Sequence, residues 1–270
     1  MFQKLERIVP RARFALFLRK SNKLENKIWF MEQEDFRIYA KYYDQIYSHM
    51  KNYEKEAKIV ENTIRKFESE KSKTLLDVGC GTGEHLTYLS LNFKCTGIDI
   101  NRNMIKIARD KVPNARFNVA SMIDFKLGER FDVITCLFSA IGHVQTFDNL
   151  VRTISNFYGH SAEKGLVIVE PWIFKKDFIK GHIGLNIHED ENIKLARMST
   201  SKMTESKRII YMHYLVGEKG EVKHFTEIHE MLASDCKDYV EAFKSAGFTK
   251  VEYLTDDLWD GSRGLFIAKK

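Results

Sequence analysis

Proline is scarce in this chain, with three residues in 270. That leaves no material for a Pro-rich spacer or a polyproline segment. Cysteine is nearly as rare. Cys80, Cys95, Cys136 and Cys236 are scattered, with no C-x-x-C pair, which excludes a disulfide framework or a zinc ribbon and fits reduced thiols in a cytoplasmic protein. No apolar run approaches the roughly 18 residues that a membrane-spanning helix needs, and there is no internal repeat. The body of the chain also lacks an excess of either charge. The net charge is +6, and residues 1–30 account for all of it, with Lys4, Arg7, Arg11, Arg13, Arg19, Lys20, Lys23 and Lys27 set against Glu6 and Glu25. A neutral body has no basic groove for a nucleic acid, so no nucleic-acid partner is expected.

What is present is an ordinary globular composition, 44% hydrophobic, long enough for one large domain with an insertion. We divide the chain into a basic arm, residues 1–34, and a body, residues 35–270. The arm carries "ARFALFLRK", an apolar cluster among arginines. It fits a contact with an anionic membrane surface. It fits equally an ordinary packing helix, or an upstream start with Met31 as the functional beginning. Its apolar core is too short and too broken for a secretory signal.

Within the body, apolar residues at three- and four-residue spacing predict helices between Asp35 and Phe67. Strands are expected at Thr74–Val78, Cys95–Ile100, Arg116–Ala120, Phe131–Ser139 and Gly165–Trp172, with helices at Glu84–Leu91, Asn101–Lys111 and Leu150–Tyr158 between them. Such alternation gives an α/β fold, a Rossmann-like parallel sheet with helices on both faces. The rhythm then changes. Residues 173–234 read as an insertion with two strands, Ile209–Val216 and Val222–Leu232, joined by the turn "GEKG". An antiparallel insertion here would cap the carboxyl ends of the sheet, where ligands bind in such folds. A helix at Lys237–Ala246 and strands at Lys250–Leu254 and Gly264–Ala268 complete the chain.

The stretch "LLDVGCGTGEHL" carries the strongest chemical signal. Asp77 precedes Gly79, Gly81 and Gly83 at every second position, tighter than the G-x-G-x-x-G of dinucleotide sites. Glycine here frees the backbone to turn and leaves no Cβ between it and a ligand. This arrangement suits S-adenosylmethionine as cofactor, with Asp77 facing its ammonium end. Asp99, closing the next strand, is placed to accept the ribose hydroxyls. The spacing disfavours NAD.

These residues resemble the class I methyltransferases. "FDVITCLFSAIGHV", "VIVEPWIFKKDF", "SRGLFIA", "YYDQIY" and "HFTEIHEM" resemble, more narrowly, the nucleotide-linked amino-sugar N,N-dimethyltransferases of the desosamine and mycaminose pathways. Gly79 and Asp99 stand where that family commonly has Ala and Glu, and Ser121 stands where it has an acid. The resemblance implies an enzyme that N-methylates a small amine, with a nucleotide sugar as partner. Ser121 and Met122 would lie at the adenine, and Phe138 against the cofactor. It implies that His143 accepts a proton or orients the amine, and that Tyr47 completes the polar wall. Tyr43, Tyr53 and Trp172 would line the acceptor pocket or belong to the core, while Arg197 and Arg263 would grip a diphosphate or remain solvated surface residues. His224, Glu227 and Glu230 read as a solvated sheet face, and no metal site is expected. Other small acceptors, such as an amino acid, a quinone or a lipid-linked sugar, stay open, as does the oligomeric state, with a homodimer one option.

Overall fold

The computed structural model describes residues 40–47, 50–67, 73–255 and 263–270; the basic arm lies outside them. The body is built on a seven-stranded sheet. Its strands are β1 (Thr74–Val78), β2 (Lys94–Asp99), β3 (Arg116–Val119), β4 (Phe131–Cys136), β5 (Ser161–Val169), β10 (Lys250–Leu254) and β11 (Leu265–Lys269). They run in the order β10-β11-β5-β4-β1-β2-β3. β11 pairs antiparallel with β5 and with β10, and the five strands from β3 to β5 are parallel. The central strands are covered on both faces. Leu75, Leu76, Val78, Val133 and Ile134 are all fully buried, which is why they read as continuous apolar runs.

Helices α2 (Tyr53–Phe67), α3 (Glu84–Leu89), α4 (Arg102–Lys111), α5 (Phe147–His160) and α6 (Cys236–Ser245) flank this sheet. Each boundary has a local cause. In α2, Ala57, Val60 and Ile64 make the buried stripe, with Glu54 and Glu56 in the first turn and Arg65 and Lys66 in the last, as the helix dipole favours. Asn101 caps α4 by accepting from the amides of Asn103 and Met104. Asp235 and Asp238 close a reciprocal capping box on α6.

Strand order reverses around β1, which lies between β2 and β4. The glycine turn follows β1, so it opens at the crevice where open α/β sheets bind ligands. Above that crevice stands a second sheet, an antiparallel meander of β6 (Ile183–Glu189), β7 (Ile193–Met203), β8 (Lys207–Glu218) and β9 (Glu221–Leu232). The expected hairpin is there, turning at Lys219 and Gly220, both with positive φ. The expectation of only two strands is corrected to four. The missed pair have a confusing pattern: in β6 the apolar Ile183, Leu185 and Ile187 are exposed while Gly184, Asn186 and His188 are half-buried, the reverse of the usual alternation. The two ends of this insertion are tied together, because the Lys175 amide donates to the Ser234 carbonyl at 3.0 Å.

A short helix, α1 (residues 40–47), joins the two sheets. Tyr42, Ile46 and Tyr47 pack with Ile193, Leu195, Tyr214, Val216 and Phe225 of the meander. On the other side, Asp44 accepts from the Thr82 hydroxyl at 2.6 Å and from Lys111 Nζ at 2.7 Å.

Candidate active site

The glycine turn works as its spacing requires. Gly79 has φ +72°, and a Cβ there would meet the Ala140 methyl at 2.7 Å. Gly81 has φ +55°, and a Cβ there would enter open space. A residue whose backbone angle favours glycine, yet has room around it, suits a place where a ligand approaches the main chain. Gly83 sits at the N-cap of α3.

Two spaces adjoin this turn. The smaller is lined by Tyr43, Tyr53, Asp77, Gly79, Gly81 and Phe138, among others. Asp77 is almost fully buried and accepts from the Thr135 hydroxyl at 2.8 Å. Burial pushes its carboxyl up to about 6, with His85 and Thr135 pulling the other way. The Tyr53 hydroxyl is buried with no hydrogen-bond partner among the described residues. An acid held close to its ionisation point and an unpartnered hydroxyl fit the charged amino-acid end of S-adenosylmethionine. Tyr53 is thereby placed beside the cofactor turn, its ring edge-on to His85, instead of in the acceptor pocket.

The larger space is a cavity of about 400 Å³. Asp99, Ile100, Ser121 and Met122 line one end of it. Asp99 accepts from the Gly81 amide at 3.0 Å and the Asn101 amide at 2.8 Å. Burial raises its carboxyl above the usual range, and these backbone donors oppose the rise. The same cavity continues to Tyr43, Tyr47, Phe138, His143, Trp172, Ile210, Met212, His229 and Met231. One space therefore runs from the glycine turn to the meander.

The acceptor wall is set by a strained loop after β4. Phe138 and Ser139 both have positive φ, at 49° and 60°. They are held there by the fully buried Glu170, which accepts from the Phe138 amide, and by the Ser139 hydroxyl, which donates to the Pro171 carbonyl at 2.8 Å. The following 3-10 turn, Ala140–Val144, presents His143. Its ring lies deep in the molecule but faces the open cavity, so it is solvent-accessible. Depth within the protein, then the neighbouring His229, lower its pKa to about 4. It is a neutral imidazole at physiological pH.

Tyr47 sits edge-on to Phe138 at 5.0 Å between ring centres. Its hydroxyl oxygen accepts from Arg197 at 2.7 Å. Arg197 is only 7% exposed and also bonds Asn186. The reading of Arg197 as a solvated residue or a diphosphate grip is corrected by this geometry, because its guanidinium is turned onto Tyr47 and Asn186. Arg263 lies beside Trp172, which lines the cavity. It stands 4.9 Å from the Trp172 ring centre and 4.0 Å from Glu170. A second guanidinium, Arg208, lies 5.5 Å from the same indole and has a buried nitrogen with no hydrogen-bond partner among the described residues. Glu227 is not on a solvated face. It is 8% exposed and accepts from the Tyr214 hydroxyl at 3.2 Å.

Sequence reasoning did not single out Arg208, His229, Ile210, Met212 or Met231. All lie on β8 and β9, whose register brings Arg208 opposite Met231 and Ile210 opposite His229. Only "HFTEIHEM" hinted at this strand. Among the described residues there is no cluster of ligands for a metal ion, and no helix is long and apolar enough to cross a membrane.

The matches to known proteins agree with this site. A methyltransferase-domain family model matches residues 75–165. The dTDP-3-amino-3,4,6-trideoxy-alpha-D-glucopyranose N,N-dimethyltransferase of Streptomyces venezuelae is 32% identical over 85% of this chain and 97% of its own. The dTDP-3-amino-3,6-dideoxy-alpha-D-glucopyranose N,N-dimethyltransferase of Streptomyces fradiae is 34% identical over 81% of this chain and 85% of its own. Among solved structures, a SAM-bound amino pentose methyltransferase from Micromonospora echinaspora superposes with a TM-score of 0.76 at 30% identity, covering 86% of this chain and 96% of that one. Matched over nearly the whole length of such relatives, the chain belongs to the family of S-adenosylmethionine-dependent amino-sugar N,N-dimethyltransferases.

Proposed function

We propose that the acceptor is the amino group of a nucleotide-linked amino sugar. The observation that carries this reading is the pair of guanidiniums, Arg208 and Arg263, which lie 5.5 and 4.9 Å from the ring centre of Trp172, a residue that lines the cavity. Neither has a carboxylate at hydrogen-bonding distance among the described residues; Arg263 reaches Glu170 only at 4.0 Å. Two such cations beside an aromatic wall suit a diphosphate, which guanidinium can grip bidentately. The two Streptomyces relatives named above are N,N-dimethyltransferases of dTDP-linked amino sugars, which supports the same class.

In this reading Asp77, Gly79, Gly81 and Asp99 hold the cofactor, whose sulfonium supplies the methyl group. Ser121, Met122 and Phe138 wall it in. The protein's main task is alignment of the amine with the methyl carbon, which can supply a large share of the acceleration. Tyr47 accepts from Arg197, so its own proton is free to be donated into the cavity. His143, neutral and facing the same space, accepts from the amine and orients its lone pair.

The test is mass spectrometry with labelled S-adenosylmethionine against amino-sugar nucleotides, the same amino sugars without the nucleotide, amino acids and RNA. The nucleotide-linked sugars are expected to gain methyl groups. Arg208→Ala and Arg263→Ala are expected to raise KM for them about tenfold or more, while leaving the free sugars unaffected. Methylation of another class alone would overturn the reading.

A further inference from the structure

The site holds a second imidazole, and its surroundings differ from those of His143. His229 projects from β9 into the same cavity, its ring centre 5.5 Å from that of His143. Its Nε2 lies 3.1 Å from Oε2 of Glu227. That oxygen also receives the Tyr214 hydroxyl, so an ionised Glu227 acts only as acceptor and Nε2 carries the hydrogen. Nδ1 is then the lone-pair nitrogen. The other carboxylate oxygen, Oε1, is buried with no hydrogen-bond partner among the described residues. We infer that His229, backed by Glu227, takes the proton that the acceptor nitrogen must lose in each methyl transfer.

The inference rests on the acceptor being an amine. A primary alkyl amine is mostly protonated at neutral pH, as a lysine is with its pKa of about 10.4, so its lone pair is unavailable on arrival. One N–H proton passes to Nδ1 of His229. The freed lone pair then attacks the methyl carbon. The N–C bond forms, the C–S bond breaks, and its electron pair stays on sulfur. The nitrogen is left as a secondary ammonium. After His229 has released its proton to water, the same transfer prepares the second methylation.

A proton on His229 would sit against a buried carboxylate, which stabilises the imidazolium. A proton on His143 would face another imidazole across the cavity and, among the described residues, no carboxylate bonded to its ring. Among the described residues, Glu227 on its own strand and His143 from the turn after β4 face His229. Tyr214 on β8 reaches it through Glu227, and Arg197 on β7 is the fixed cation that acts on Tyr214. The two histidines take different roles, one orienting the nitrogen and one removing its proton.

The experiment compares His229→Ala, His229→Gln, Glu227→Gln and His143→Gln in the full-length enzyme. Wild-type activity on the amine panel is measured first; its absence would overturn the acceptor reading itself, and this inference with it. With wild type active, His229→Ala should lose about 100-fold or more in kcat, and added imidazole should restore activity in proportion to its free-base concentration. Cofactor affinity by calorimetry should stay within a few-fold of wild type. His229→Gln should lose the acidic inflection of the kcat profile, and Glu227→Gln should shift that inflection, while His143→Gln keeps it. Should His229→Ala not fold, the profile of His229→Gln decides. A His229→Gln enzyme with the wild-type rate and profile, or a folded His229→Ala enzyme that imidazole cannot rescue, would overturn the assignment.

Discussion

Asp77 illustrates how a single residue couples the cofactor to pH. Burial raises its carboxyl to about 6. In the free protein the ionised form is therefore disfavoured, and ionising it above about pH 6 costs stability that the protonated form retains below. A cationic ligand reverses the preference, because an ammonium beside Asp77 favours the carboxylate. Affinity for S-adenosylmethionine should then be constant above about pH 7 and fall as pH drops through about 6, by up to tenfold per unit. Calorimetry from pH 5 to 8 checks this; Asp77→Asn should bind at least tenfold more weakly at pH 7.5 and show a flat profile. An equally flat wild-type profile would remove Asp77 from the ammonium end. Asp77, Gly79, Gly81 and Asp99 were legible in the sequence because the backbone turn that they build is local. His229 and Arg208 were not. Their positions in the site depend on the pairing of β8 with β9 and on how that sheet stands above the first, and neither is written in neighbouring residues.

At the scale of elements, α1 is the piece whose work was hardest to read. Its tyrosines have helical spacing, which fits a core as well as a site, and the structure uses them for both. Tyr42 and Ile46 are packed on the meander, while Tyr43 and Tyr47 face the cavity. Asp44 is its only described side-chain link to the cofactor turn and α4, through Thr82 and Lys111. Thr82 is buried, while Asp44 and Lys111 are partly exposed, so the hydrogen bond contributes about 1 kcal/mol and the ion pair less. Asp44→Ala is therefore expected to weaken S-adenosylmethionine binding about three- to tenfold with little change in the unfolding temperature. Parallel calorimetry and thermal melts would show it. A large loss of Tm with unchanged affinity would mean that α1 is a structural brace. β6 was missed for a related reason: its apolar residues face outward, so neither burial nor alternation reported the sheet that it joins.

The whole molecule divides its tasks between its two sheets. The seven-stranded sheet carries the glycine turn, Asp99 and His143; the meander brings Ile210, Met212, His229 and Met231 to the same cavity. The parallel sheet was readable from its alternation of strands and helices, since each buried strand is a short apolar run between turn signals. The meander was half-read, because strands with one wetted face and long polar stretches, as in "ARMSTSKM", give a weaker pattern. The hydrogen bond between Lys175 and Ser234 holds the two ends of that insertion side by side. Segments whose ends lie close together can be replaced with little strain on the host. The meander's share of the cavity wall is consequently a graftable cassette. Exchanging residues 176–233 for the matching segment of a relative with another amino sugar, together with Tyr42 and Ile46 that pack against it, should yield a chimera that binds S-adenosylmethionine within a few-fold of the parent and methylates the donor's acceptor. Chain segments of this kind let selectivity be inherited as a unit, separately from the machinery that delivers the methyl group.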